Sequence, residues 1–232
     1  MKINQRDIGI MGWILEQKFM TERQVRQVFW KGLSQESHEV FRRLRELGKA
    51  GFLTTNKKLS PKTLYLVTRS GASKLKVLDR AHDLGELSDE GNSNYVHDLA
   101  VTDIRILFHE WGYTQWLSER VLSKRNDLRQ VPDGMIFNND KYIAIEYESS
   151  QKSKRRYRKI LLGYELDRRV DKVLYITATQ ELAQKVLKEV TAWHKPNFVW
   201  LGDIQRDHIN AKLKSIDGEC SLNELLGDRV RC

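Results

Sequence analysis

Two short apolar runs, Met135-Ile136-Phe137 and Tyr142-Ile143-Ala144-Ile145, stand on either side of Asn138-Asn139-Asp140, and this pairing constrains the fold more than any other feature. Apolar runs of that length bracketing a polar turn predict a β-hairpin. Carboxylates decorate it at set places. Asp133, within Val131-Pro132-Asp133-Gly134, sits where the first run begins, and Glu146 and Glu148 close the second run two positions apart. Strand side chains alternate, so Glu146 and Glu148 project from one face, and three carboxylates meet at one sheet edge. Burying like charges together is costly unless a cation neutralises them. Hard oxygen donors favour Mg²⁺ or Mn²⁺ over zinc, and such ions cleave phosphodiesters by activating water and stabilising the leaving oxygen. The competing reading is an exposed Glu-x-Glu edge with Lys or Arg partners; the Pro-Asp step before the hairpin favours the cation site.

The charge balance points to a polyanion. The 232 residues carry a formal net charge of +9, and the pI is near 9.5. Nucleic acid is favoured over a membrane, because no stretch approaches the roughly 20 apolar residues of a spanning helix. Residues 1–7 are polar and the apolar positions after them are periodic, unlike a signal peptide, so the expected location is cytoplasmic. Cys220 and Cys232 are the only cysteines, too few for a disulfide framework or a four-cysteine zinc site.

The length allows two domains, since most run about 100 to 150 residues. Residues 1–80 read as a winged helix-turn-helix. Ile8, Met11, Ile14 and Leu15 share one helical face, and Thr21-Glu22-Arg23-Gln24 forms a capping box that opens a second helix. A third helix is expected from near Ser34, with Val40, Phe41, Leu44 and Leu47 inward and Arg42, Arg43, Arg45 and Lys49 outward. Phe52-Leu53-Thr54 and Leu64-Tyr65-Leu66-Val67 flank a basic turn bearing Lys57, Lys58 and Lys62. These lysines are placed to reach phosphates while the third helix enters the major groove. Residues 1–80 hold 17 Lys and Arg against 7 Asp and Glu, a surplus that favours DNA over a protein partner for this module.

An acidic, turn-rich stretch, residues 81–95, reads as a linker. The second domain, residues 96–203, alternates: a helix over 96–111, a strand near 113–121, the carboxylate hairpin, a helix, a strand over 172–177, a helix, and a strand over 198–201. Residues 204–232 form a C-terminal extension with amphipathic fragments at Ile209, Leu213 and Ile216. The fold class expected is therefore mixed α/β, a winged helix followed by an α/β domain.

The helix over 96–111 places His97 at the end of an apolar face, pointing toward the sheet, where it is either a satisfied core histidine or a catalytic group. Asp103 flanks that face and is a candidate metal ligand or ion-pair partner; Asp98 is expected to face solvent, and Glu119 is a secondary candidate. Directly after the hairpin, residues 152–159 contain six cations: Lys152, Lys154, Arg155, Arg156, Arg158 and Lys159. Beside a metal site such a run is suited to clamp phosphates, with binding that weakens as salt rises; otherwise it is a solvated helix start. Tyr157, Ile160, Leu161 and Tyr164 share a face, which predicts packing for both tyrosines.

The order of elements in the second domain resembles the core of the PD-(D/E)xK, restriction-endonuclease-like superfamily. The motif then falls on Asp133, Glu146 and Glu148, with Glu148 in the place usually held by lysine, so Lys152 or Lys154 from the neighbouring loop is the candidate for that function. With the winged helix in front, His97…Asp103…Asp133…Glu146-x-Glu148 and the basic helix resemble the MOBC-class plasmid mobilisation relaxases and the related replication-relaxation proteins. The six histidines contain no His-x-His, unlike relaxases built on a histidine triad. The resemblance implies a sequence-specific, Mg²⁺- or Mn²⁺-dependent enzyme that nicks a plasmid transfer origin. Asp133 and Glu146 would ligate metal, Glu148 and His97 would support catalysis, and an accessory nicking protein and a coupling ATPase would be its partners. The alternatives are a non-catalytic plasmid DNA-binding regulator with a degenerate nuclease fold, and a broad repair or defence nuclease.

Overall fold

The computed structural model describes the chain except residues 1, 33, 35, 36, 58, 59, 79–82, 88–93, 126, 139, 140, 191, 192, 194, 216 and 228–232. It is a mixed α/β protein of two compact units, Met1–Glu110 and Trp111–Cys232.

In the first unit, helix α1 (Gln5–Glu16) is followed by a short strand β1 (Met20–Thr21), helices α2 (Glu22–Phe29) and α3 (Glu39–Lys49), strands β2 (Leu53–Asn56) and β3 (Leu64–Val67), and helices α4 (Arg69–Val77) and α5 (Tyr95–Glu110). The three strands form an antiparallel sheet in the order β1-β3-β2. Helix α1 opens on a capping box between Asn4 and Asp7, and α2 opens on the expected box between Thr21 and Gln24. Such reciprocal caps satisfy donors that the first turn leaves open. Helix α3 begins at Glu39, later than expected. It buries Val40, Leu44 and Leu47, while Phe41, expected inward, is 48% exposed.

Helix α5 packs within this first unit. Gln24 Nε2 donates to the carbonyl of Leu99 and to Asp103, Lys18 pairs with Asp98, and the buried Arg105 pairs with Glu16 while lying over the Trp13 ring. The sequence expectation put this helix at the head of the second domain. An amphipathic pattern shows that a helix has a partner without showing which one. Asp98, expected to face solvent, is buried. Burial works against its charge, but His97 and Lys18 hold it below the ordinary aspartate value.

The second unit is a seven-stranded sheet. Its strands are β4 (Trp116–Ser118), β5 (Gly134–Asn138), β6 (Lys141–Glu148), β7 (Val170–Thr177), β8 (Pro196–Trp200), β9 (Lys212–Ser215) and β10 (Gly218–Ser221). They lie side by side in chain order. The β6, β7 and β8 strands run parallel, and pairing is antiparallel toward both edges. The expected strand near 113–121 is shorter, because residues 119–122 turn into helix α6 (Glu119–Leu122). Residues 212–221, expected to lie in an extension, continue the sheet as the β9–β10 hairpin, with Leu213 fully buried.

Parallel neighbours need a crossover, and helices α7 (Lys154–Glu165) and α8 (Gln180–Val190) provide it. They cover one sheet face, where Tyr157, Ile160, Leu161 and Tyr164 of α7 and Leu182 and Val186 of α8 pack on Met135, Ala144, Val173, Tyr175 and Phe198. The apolar face expected for α7 is thus the buried one. Strand alternation puts Glu146 and Glu148 on this same covered face, because they follow Ala144 at steps of two.

Candidate functional site

Asp133, Glu146 and Glu148 are held by backbone ladders. Met135 pairs with Ala144 and Gly134 with Ile145, so one further step sets Asp133 opposite Glu146 on the same face. The Tyr147 amide donates to Asp133 Oδ2 at 2.7 Å, which fastens the carboxylate to the neighbouring strand. Gly134 is required beside it. A Cβ there would lie 2.0 Å from Cζ2 of Trp116, whose ring occupies the space. Toward the sheet centre, Glu146 pairs with Tyr175 and Glu148 with Thr177.

Glu146 and Glu148 are 5% and 2% exposed, and their neutralisation differs. Lys152 Nζ donates to Glu148 Oε1. Glu146 Oε1 accepts the Tyr164 hydroxyl, and Oε2 accepts no hydrogen bond among the described residues. Burial, reinforced by the negative charge of Asp133, pushes Glu146 well above the ordinary glutamate value, with Tyr164 and Lys152 opposing. Burial and the charge of Glu146 also push the Tyr164 hydroxyl well up, so it remains a proton donor. Three tyrosine hydroxyls converge here. That of Tyr157 accepts from the Lys152 amide at 3.1 Å, that of Tyr164 serves Glu146, and that of Tyr175 is buried without a hydrogen-bond partner. The sequence marked Tyr157 and Tyr164 as packing residues and passed over Tyr175; a buried hydroxyl and a buried ring leave the same periodic signal.

Among the described residues, no three His, Cys, Asp or Glu side chains are drawn together as a metal-holding group. The donors do suit a hard cation held by two carboxylates. Asp133 and Glu146 share one face, where the charge of Asp133 adds to burial in raising Glu146, and the Tyr175 hydroxyl beside Glu146 is buried without a hydrogen-bond partner, as a position facing a metal-bound water would be. The third expected ligand, Glu148, already has the Lys152 ammonium.

The other predicted residues divide clearly. Lys154 is 83% exposed at its side chain and lies 3.7 Å from Glu189. His97 and Asp103 belong to the first unit, where His97 lies beside Asp98 and Asp103 is held by Arg23 at 2.7 Å and by Gln24 at 2.7 Å. Arg155, Arg156 and Arg158 are exposed on α7, whose first turn holds no acidic residue. In the first unit, Arg42, Arg45, Lys57 and Lys62 are exposed. Arg43, expected to reach outward to DNA, turns instead onto the buried Asp7 and onto Glu46. Lys58 lies outside the described residues.

Residues 11–169 match the replication-relaxation family, well over half the chain, and the protein belongs to that family. No curated protein and no solved structure gives a match. Among the described residues, no helix is long and apolar enough to cross a membrane.

Proposed function

We propose that the protein is a sequence-specific, divalent-metal-dependent DNA-nicking enzyme, a relaxase acting at a plasmid transfer origin, with a winged-helix first unit and a PD-(D/E)xK-like second unit. The observation that carries this reading is Asp133, one residue before β5, set opposite Glu146 of β6 on the covered face and bonded to the Tyr147 amide, with Lys152 reaching Glu148 from the chain just beyond. Asp133 and Glu146 would hold Mg²⁺ or Mn²⁺. Such an ion activates water and stabilises the leaving oxygen when bound. Lys152 takes the place of the lysine missing from the motif: it neutralises Glu148 and would offer its cation to a scissile phosphate. The exposed Arg155, Arg156 and Arg158 are suited to grip the backbone beside the cut, and Arg42, Arg45, Lys57 and Lys62 to hold the recognition site. Covalent attack by tyrosine is disfavoured, since Tyr147, Tyr157 and Tyr164 are buried. An accessory nicking protein and a coupling ATPase follow as proposed partners.

The decisive experiment is conversion of supercoiled plasmid to open circles in Mg²⁺ or Mn²⁺, with and without a candidate transfer origin. Origin-dependent nicking that Glu146→Ala lowers at least 100-fold supports the proposal. Linearisation of any plasmid points to a broad nuclease. Origin binding without cleavage in either metal overturns the enzymatic reading in favour of a DNA-binding regulator.

A further inference from the structure

Tyr164 projects from the last turn of α7 into the covered face, is 1% exposed, and gives its hydroxyl to one oxygen of Glu146. That bond does two things. It stops the glutamate rotating about its last torsion, which is broad when unrestrained. It also takes one acceptor position of Oε1, which makes Oε2 the oxygen with more room for a ligand. The helix holding Tyr164 is fixed in turn: Tyr157, Ile160 and Leu161 pack beneath it, the Ser153 hydroxyl caps its start, and Lys195 Nζ reaches the Tyr164 carbonyl at 2.7 Å. The arrangement is therefore rigid at both ends of the hydrogen bond. Tyr175, whose hydroxyl lies on the same face without a partner, shows that a buried tyrosine here need not bond Glu146 at all.

We infer that Tyr164 is a positioning residue of the nicking site, one that presents Glu146 to the metal through a single oxygen. This rests on the metal-dependent reading of Asp133 and Glu146 given above. The hydroxyl itself touches neither DNA nor the ion; it acts through Glu146. A merely structural tyrosine would contribute to stability and leave metal affinity alone.

The test is Mn²⁺ binding to the full chain without DNA, followed by the loss of the free-ion electron paramagnetic resonance signal, on wild type, Tyr164→Phe, Glu146→Gln and the double variant. The Phe ring fills the same space, and thermal melting checks that each protein folds. Tyr164→Phe should weaken Mn²⁺ binding about tenfold, the size expected for losing one hydrogen bond to a charged group. Adding the same change to Glu146→Gln should shift affinity no further, as a cycle between coupled residues requires. The Mn²⁺ concentration for half-maximal nicking should rise by the same factor. Equal affinity in wild type and Tyr164→Phe overturns the inference and leaves the metal site standing, as does an equal loss with and without Glu146. A wild-type protein that takes up no Mn²⁺ overturns the metal site and the inference together. If Tyr164→Phe does not fold, 3-fluorotyrosine at position 164 keeps the ring and strengthens the donor: a shifted Mn²⁺ affinity sustains the inference, and an unchanged one overturns it.

Discussion

Asp7 and Glu146 are both almost fully buried carboxylates, and the protein treats them in opposite ways. Asp7 accepts from the Asn4 amide at 2.8 Å and from Arg43 Nε at 2.7 Å, with a second guanidinium nitrogen alongside. Burial alone would raise its pKa, but the bonds from Arg43 and Asn4 outweigh that and hold it below the ordinary aspartate value. Glu146 has only a neutral hydroxyl as its hydrogen-bond partner and faces Asp133, and its value is driven up. A buried acid with its own cation is part of the scaffold. One that no cation bonds directly, and whose value burial and a neighbouring acid drive up, fits the pattern of a ligand site better than that of a scaffold.

The comparison can be broken most forcefully at Arg43. Arg43→Ala leaves Asp7 buried and uncompensated and should cost about 3 kcal/mol in denaturant unfolding. Because the folded value of Asp7 is depressed, its contribution is present above the ordinary value of about 4 and is lost as pH falls through the depressed one. The variant should therefore have a flatter acid limb than wild type, and parallel acid limbs would place Asp7 among the ordinary surface acids.

Glu146 should show the reverse sign. Its folded value is raised, so the stability it confers is complete below the ordinary glutamate value and is lost as pH rises toward the raised one. Glu146→Gln removes this penalty and should stabilise the metal-free protein by about 1–2 kcal/mol at pH 8 while changing little at pH 4. Melting curves from pH 4 to 8 check it, and Mn²⁺ should stabilise wild type more at pH 8 than at pH 6. A wild-type-to-Gln difference that stays constant with pH would remove the contrast with Asp7. The smallest effect is expected at Tyr175. Its hydroxyl has no partner to lose, so Tyr175→Phe should change metal-free stability by less than about 1 kcal/mol and in the stabilising direction; a loss above that, measured by urea unfolding, would mean that the hydroxyl is bonded in the protein.

The carboxylate hairpin is legible in the sequence because two short apolar runs bracket the polar turn Asn138-Asn139-Asp140, and the buried face of α7 is legible because Tyr157, Ile160, Leu161 and Tyr164 recur at helical spacing. Other features depend on partners that no periodicity names. Helix α5 shows an apolar face but not that Gln24 and Lys18 receive it, so periodicity alone does not reveal that Asp103 is held by Gln24 and Arg23 within the first unit. Arg43 looked like its neighbours Arg42 and Arg45 because a charged residue on a helix does not reveal an acid waiting 36 positions earlier. The β9–β10 hairpin was missed because Lys212–Ser215 alternates over only four residues, too few to distinguish a strand from a loop.

The hydrogen bond from the Tyr147 amide to Asp133 has a consequence for how this site can change over time. It works as a reading-frame lock: the acid that belongs to the site also fastens the strand carrying the other two acids. A one-residue slip of β6 against β5 would turn Glu146 and Glu148 to the opposite face and carry Ile145 and Tyr147 into their places. Loss or gain of a single residue in the hairpin would therefore silence the whole constellation at once, while paired changes of two residues would preserve it.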